Sequence, residues 1–501
     1  MTADLDYQAL RLRWAERRKR IRERAIQQAK SDRRRRSVFT NQGTLTRVPF
    51  KVSRLMEFCT KRELVNQTGH RETEWLLVVL KELTDNALDE CEEAGIAPTI
   101  NIEVNGDQII IADNGRGIPA KTIKGILNYS VRVSSREAYV SPTRGAQGNA
   151  LKTILPMGYV LDERKGEDAF SETIIESHRR LHRIRFSVDH VRQEPKIGYT
   201  SEPSPIAKGT RITVQMPTLT STLYTYLIDD LKERFLLLAE AYAWINPHLT
   251  LRVTWNGKTE CDFKATDRHF SKWSPSWPTS AHWYDVSRFR RYMAAHIANR
   301  ASVTVREFIS EFDGMTATAK QKAVLEETGT AYTSLYDFFG RAKANPDNIA
   351  KLLASIQKHA REIKPKHLGE IGKEHFFRMM EMAGGDPKTF AYDRKFGHAD
   401  GVPYVVECAF GVHGDGLTAG NAPHRKIITG VNWSPGINNP FKQIGSGGDS
   451  MDAILSELKA NSSQPVMAVL HLACPRVDYT DRGKSAIVVH GGGRRADDGN
   501  E

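Results

Sequence analysis

Glu82 and Asn86 stand four residues apart in the stretch Lys81-Glu-Leu-Thr-Asp-Asn-Ala-Leu-Asp-Glu90. Around them Leu76, Leu80, Leu83 and Ala87 recur at spacings of three and four, which predicts a helix with one apolar face. On such a helix Glu82 and Asn86 project together, one turn above the other. The amide oxygen of Asn86 can ligate a hard cation such as Mg²⁺, while the Glu82 carboxylate orients and deprotonates a water. An isolated E-x-x-x-N is more often a solvated acidic face, so the reading rests on what accompanies it.

Three further groups do. Asp113-Asn-Gly-Arg-Gly-Ile-Pro119 follows an apolar strand, so that Asp113 sits at a strand end and Gly115 and Gly117 let the chain turn sharply against a flat ligand. A buried carboxylate there can accept a hydrogen bond from an exocyclic amine such as that of adenine. Thr143-Arg-Gly-Ala-Gln-Gly-Asn-Ala-Leu-Lys152 is glycine-spaced and leads into a helix start at Leu151, Ile154 and Leu155. Its backbone N–H groups and the positive end of the helix dipole suit phosphates, although it lacks P-loop spacing. Lys208-Gly209-Thr210 enters the strand 211–216, from which a threonine hydroxyl can reach a base through water.

The elements that must position these groups are legible. The helix carrying Glu82 is expected over residues 71–94, ending at Gly95 with Pro98 beyond. Ile100, Ile102 and Val104 alternate, then Asn105-Gly106, then Ile109-Ile-Ile111: a hairpin whose second strand delivers Asp113. Ser53 to Cys59 is expected as a short helix, and residues 7–36 as one long Arg-rich helix.

Composition narrows the class. The 501 residues are 40% hydrophobic and 26% charged, as in globular proteins. The apolar run 235–245 is broken by Glu240 and is too short to span a bilayer. Five scattered cysteines without a C-x-x-C pair argue against structural zinc and disulfides, and no apolar leader opens the sequence. A cytoplasmic protein is expected, nucleoid-associated in a bacterium or archaeon, with no membrane partner. Between Met1 and Arg36 there are 13 Lys or Arg against five Asp or Glu, which accounts for most of the formal net charge of +12. A basic arm on a nearly balanced body points to a polyanion, DNA first.

Taken in order, Glu82/Asn86, Asp113/Gly115/Gly117, Gly145/Gly148 and Gly209/Thr210 resemble the Bergerat-fold (GHKL) ATPases. Ser53-Arg-Leu-Met-Glu-Phe-Cys59, Thr143-Arg-Gly-Ala-Gln-Gly148 and Asn246-Pro-His248 narrow the resemblance to the B subunit of DNA topoisomerase VI. It implies an α+β chain: a basic arm over 1–45, a Bergerat-fold α/β sandwich over 46–260, a linker and helix–two-turns–helix-like insert over 261–375, an α/β transducer-like domain over 376–488 and a disordered tail over 489–501. It implies ATP and Mg²⁺ as cofactors, with Glu82 as general base and Asn86 as metal ligand. Asp113 and Thr210 would read adenine, and Gly115 and Gly117 would allow close approach. The loop 145–152, with Gly145, Gly148, Asn149 and Lys152, would close over the phosphates. In the run Val477-Asp-Tyr-Thr-Asp-Arg-Gly-Lys-Ser485, Lys484 would reach the γ-phosphate.

The function implied is that of an ATP-hydrolysing subunit of a type IIB topoisomerase-like complex. ATP would close a homodimer around DNA, and cleavage would belong to a separate protein resembling the DNA-cleaving A subunit of topoisomerase VI. Three features depart from the family: Ala150 replaces its usual third glycine, the arm is additional, and only 17 residues follow Lys484, without the family's long terminal helix. The last two favour an alternative, an ATP-gated DNA clamp or scaffold of defence or mobile-element type that never cuts.

Overall fold

The computed structural model describes residues 58–129, 138–144, 150–162, 169–189, 194–219, 227–274, 276–299, 302–344, 347–414, 425–444, 449–480, 484 and 486–488. The arm, the expected helix at 53–59 apart from its last two residues, Gly145, Gly148, Asn149 and the tail lie outside them. The α+β fold class expected from the sequence is the one observed. The described residues all fall within one compact unit.

The helix expected around Glu82 is α2, Trp75–Glu93, preceded by α1, Lys61–Thr68. A single 3₁₀ turn at Glu72–Glu74 replaces the first turn anticipated from the sequence. Gly95, at φ +66°, ends α2: its N–H bonds the Glu92 carbonyl and the Ile96 N–H bonds that of Cys91, the paired bonds of a Schellman cap. Residues 75–80 are all buried, so the first half of α2 is enclosed on every side instead of showing one apolar stripe. Each such side chain contributes about 1.5–3 kcal/mol relative to exposure.

Strands β1 (Thr99–Asn105), β2 (Gln108–Ala112), β3 (Ser171–Ser177), β4 (Arg180–Asp189), β5 (Glu194–Pro203), β6 (Thr210–Gln215), β7 (Thr250–Trp255) and β8 (Lys258–Phe263) form one sheet in the order β5-β4-β3-β6-β2-β1-β7-β8. Only β1 and β7 run parallel. The β1–β2 hairpin pairs Asn105 with Gln108, so its loop is Gly106-Asp107, one residue later than the Asn-Gly reading. Gly106 has φ +57°, as a type II′ turn requires at its first central position. Ile100, Ile102, Val104, Ile109 and Ile111 form one core with α2 and with α6, Ile228–Ile245. Between β2 and β3 lie α3 (Ala120–Ile126), α4 (Ala150–Ile154) and α5 (Met157–Leu161).

After β8 come five helices, α7 (Val286–Asn299), α8 (Val305–Ser310), α9 (Thr318–Thr328), α10 (Leu335–Ala344) and α11 (Asp347–His359), then α12 (Lys373–Met382). The second sheet comprises β9 (Ala391–Ala399), β10 (Val402–Val412), β11 (Lys426–Val431), β12 (Ser434–Pro435) and β13 (Val466–Ala473), ordered β12-β11-β13-β10-β9, with α13 at Met451–Glu457. The strands expected at 402–411 and 465–473 are β10 and β13. Helices and second sheet share one core: Trp283, Phe289, Phe312, Phe376, Val405 and Met467 belong to it, and α6 adds Trp244 and Ile245. The end of α6 therefore joins the first sheet to the second.

One crossing fixes the geometry below. Gly209 lies on the backbone of Asp113 so closely that a Cβ would sit 2.0 Å from the Asp113 carbonyl oxygen, and its φ is +75°. Gly209→Ala is expected to lower the melting temperature by roughly 5 °C or more, measured by differential scanning calorimetry; an unchanged Tm would show that the crossing can relax.

Candidate active site

Asp113 leaves the end of β2 beside the start of β6. Its N–H donates to the Thr210 carbonyl at 2.9 Å, while its Oδ1 accepts from the N–H groups of Gly115 (2.8 Å) and Thr210 (3.2 Å). The two residues expected to read a base are thus one hydrogen-bonded unit. Burial pushes the Asp113 carboxyl up to about 6, against the opposing pull of those hydrogen bonds, with Glu90 adding a smaller upward push.

The glycines here serve protein against protein. A Cβ on Gly115 would stand 3.1 Å from both Asp113 Oδ1 and the Glu90 Cγ, so the turn presses on α2. Gly117, at φ +93°, would meet Ser177 Oγ at 2.4 Å, the same hydroxyl that accepts from the Ile118 N–H at 2.9 Å. Arg116 bonds Glu90 at 2.9 Å. Glu82, Asn86 and Glu90 occupy successive turns of α2, so the helix carries the two expected polar residues toward the Asp113 turn.

Asn86 is exposed and Glu82 half-buried. Desolvation raises the Glu82 pKa; Lys81 and Lys484 oppose it and Asp85 adds to it. Lys484, from the far end of the chain and at φ +55°, is brought to this helix, its ammonium donating to the Arg144 carbonyl at 2.6 Å. Burial lowers its pKa, helped by Lys81 and resisted by Glu82, Asp85 and Asp89. Lys152 points elsewhere: it is 2% exposed and donates to the Asn128 carbonyl at 2.9 Å.

A set of buried charges behind these residues escaped the sequence reading. Asp85 bonds Lys81 (2.9 Å), Tyr242 (2.8 Å) and Ser434 (2.7 Å), and Lys81 also bonds Ser434. One and two turns on, Asp89 and Glu92 meet Arg144, and Glu92 also meets Lys272 at 2.7 Å and His248 at 2.8 Å. Burial and neighbouring carboxylates lift Asp89 to about 6, while Arg144 and Lys272 hold Glu92 well below its ordinary range despite its burial. The available signal was spacing: Asp85, Asp89 and Glu92 recur at four and three within a helix otherwise too apolar to be solvated.

These features define a class, an α+β fold in which a helix carrying Glu82 and Asn86 lies beside the turn of a strand-end carboxylate. Within that class the chain is similar to the B subunit of type 2 DNA topoisomerase 6, as the motifs indicated. It is 23% identical to the Archaeoglobus fulgidus protein over 432 residues, 83% of this chain and 67% of that one. It is 33% identical to the Natronomonas pharaonis protein over 149 residues, 28% of this chain and 18% of the relative. The chain thus spans about two thirds of the first relative and less than a fifth of the second. Among solved structures, the ATPase region of Saccharomyces cerevisiae topoisomerase II aligns over 82% of this chain and 76% of that one, at 12% identity and TM-score 0.35, an overlap that carries no functional information. No family model matches the chain.

The raised pKa of Asp113 gives a signed expectation. If Asp113 accepts the amine of adenine, its ionised form does so and its protonated form does so poorly, and binding is then lost as pH falls through about 6. Between about pH 7.5 and about pH 5 the affinity for ATP should weaken roughly tenfold. Asp113→Asn should flatten that dependence and erase the preference for ATP over GTP. Nucleotide titrations across pH check both, and an unaltered profile in the variant would remove Asp113 from the role.

Proposed function

We propose that this chain is an ATP-binding and ATP-hydrolysing subunit of a type IIB topoisomerase-like complex. The observation that carries the reading is that Glu82 and the exposed Asn86 stand one turn apart on α2, with the charge of Lys484, docked on the Arg144 carbonyl, acting on Glu82. The similarity to the B subunit of topoisomerase 6 supports it.

In this reading Asp113 and Thr210 hold the adenine, and Asn86 holds Mg²⁺ through its single amide oxygen. Mg²⁺ bound with substrate phosphates needs only one or two protein ligands, the rest being phosphate oxygens and water. When bound, the ion neutralises charge on the phosphates. Glu82 takes the proton of the attacking water, and its raised pKa makes it a stronger base than a solvated carboxylate. Lys484 supplies a compact positive charge where charge develops on the transferred phosphoryl group.

The wider assembly follows from the same reading. ATP favours a closed homodimer around DNA and hydrolysis reopens it, the nucleotide acting through its different affinity for the two states. A separate protein resembling the A subunit of topoisomerase VI performs cleavage, and the basic arm adds contacts to DNA phosphates.

Glu82→Gln is expected to bind ATP with wild-type affinity and to lose turnover by at least about 100-fold. The acid limb of log kcat in the wild type should lie above the ordinary carboxylate range, because the base must be ionised and its pKa is raised. Steady-state hydrolysis across pH, paired with equilibrium binding, is the check; a Glu82→Gln enzyme at wild-type rate would discard the mechanism. Deleting residues 1–36 should weaken DNA binding and reduce the slope of log K against log salt. Identical slopes with and without the arm would remove it from the interface.

A further inference from the structure

The Arg144 guanidinium is buried completely, yet each of its five N–H groups has an acceptor. Nε donates to the Trp433 carbonyl at 3.1 Å, Nη1 to Asp89 at 2.8 Å and Glu92 at 2.7 Å, and Nη2 to the other Glu92 oxygen at 2.7 Å and to Asn246 Oδ1 at 2.6 Å. Three elements hold it. Asp89 and Glu92 belong to α2, Asn246 caps the end of α6, and Trp433 sits in the turn between β11 and β12.

The Trp433 carbonyl is itself fixed. Asn432 and Trp433 adopt φ of +51° and +62°, a conformation that asparagine tolerates and tryptophan disfavours, and the turn is pinned to β13 and the residue after it. Asn432 exchanges two side-chain hydrogen bonds with the backbone of Cys474, at 2.9 and 2.8 Å. The Trp433 N–H donates to His471 Nε2 at 3.2 Å, and Asn246 Nδ2 reaches the Trp433 carbonyl at 3.0 Å. The side chain of Arg144 is therefore immobilised against two sheets at once. Its main-chain carbonyl, on the other side of the residue, is the acceptor for Lys484 Nζ.

We infer that Arg144 is the positioning residue for Lys484: the saturated guanidinium fixes the backbone carbonyl on which the ammonium docks, and so sets Lys484 beside Glu82. A lysine on a four-carbon stem has no preferred direction of its own, and at φ +55° its backbone is held in an unusual conformation. The direction comes from the carbonyl, and the carbonyl is held by the fork. Arginine is required because only its planar fork reaches the Trp433 carbonyl, both carboxylates and Asn246 together. The catalytic meaning of Lys484 rests on the ATPase reading above; its placement by Arg144 does not.

Lysine acylation read by mass spectrometry tests the placement without nucleotide. In the wild type Lys484 should react slowly, as should buried Lys152, whereas Lys258 and Lys322, 76% and 67% exposed at the side chain, should react fast. Arg144→Lys removes the fork. Asn246→Ala removes one acceptor while leaving both carboxylate pairs intact, and so serves where the first variant does not fold. In either variant Lys484 should react at least fivefold faster while Lys152 stays protected. Wild-type protection of Lys484 in the folded Asn246→Ala protein would overturn the inference. Hydrolysis gives the second arm: Asn246→Ala should lower kcat several-fold in the wild-type background and not at all in a Lys484→Ala background. Equal factors in both would assign Asn246 and Arg144 a role independent of Lys484. A wild type without turnover would overturn the ATPase reading, and the acylation arm would still decide the placement.

Discussion

A buried positive charge that cannot lose its proton constrains everything packed around it. Arg144 has no exposure at its side chain and is flanked by Asp89 and Glu92, with burial opposing its charge and the carboxylates restoring it. Taking such ions out of water costs several kcal/mol each, so the arrangement survives only because geometry satisfies every donor. Removing one partner would leave an uncompensated charge in a dry space, at about 3–5 kcal/mol. The cluster is thus better understood as a registration device than as a source of net stability. It admits one relative placement of α2, the end of α6 and the Trp433 turn.

That registration connects two kinds of construction. The side around Asp113 is backbone-tight: a Cβ would meet the Asp113 carbonyl oxygen at 2.0 Å from Gly209 and Ser177 Oγ at 2.4 Å from Gly117, and would press on Glu90 at 3.1 Å from Gly115. The side facing the second sheet is built from side chains: Asp85 with Tyr242 and Ser434, Glu92 with Lys272 and His248, Lys272 over the Trp433 ring at 4.6 Å. The ion-pair wall fixes side chains as the crossing fixes backbone, and it is on this side that Lys484 docks on the Arg144 carbonyl. The second sheet has its own buried polar line in Glu407, which accepts from the Ile371 and Gly372 N–H groups at 2.8 Å each and from Tyr392 at 2.9 Å, tying β10 to the start of α12.

Much of this was legible in the residues. Helix α2, its stop at Gly95, the β1–β2 hairpin and strands β10 and β13 follow from periodicity and glycine placement, which are local properties of the chain. The hydrogen bonding of Asp113 to Thr210, in contrast, spans 97 residues and came from the sheet. The hairpin loop slipped by one residue because Gly106 suits either turn, and the register was decided by which isoleucines face the core. The first turn of α2 became 3₁₀, and residues 75–80 lost their expected polar side, because two packed layers enclose that end of the helix. Lys152 reads as a phosphate-loop lysine by spacing alone, yet its ammonium turns inward to the Asn128 carbonyl, since local spacing says nothing of which carbonyl lies within reach.

What the sequence determined by itself was where the candidate groups sit along the elements: Glu82 with Asn86 on one helix, Asp113 at a strand end, Thr210 entering a strand. These depend on separations of a few residues, over which helix and strand geometry are fixed. The tertiary structure alone decided which buried charges face one another. Arg144 finds Asp89 and Glu92 more than fifty residues earlier, Asn246 about a hundred later and Trp433 nearly three hundred later. No local periodicity encodes contacts at those separations. They arise when the apolar faces of α2, α6 and the second sheet close over one another and leave one polar space, which a single arginine fills.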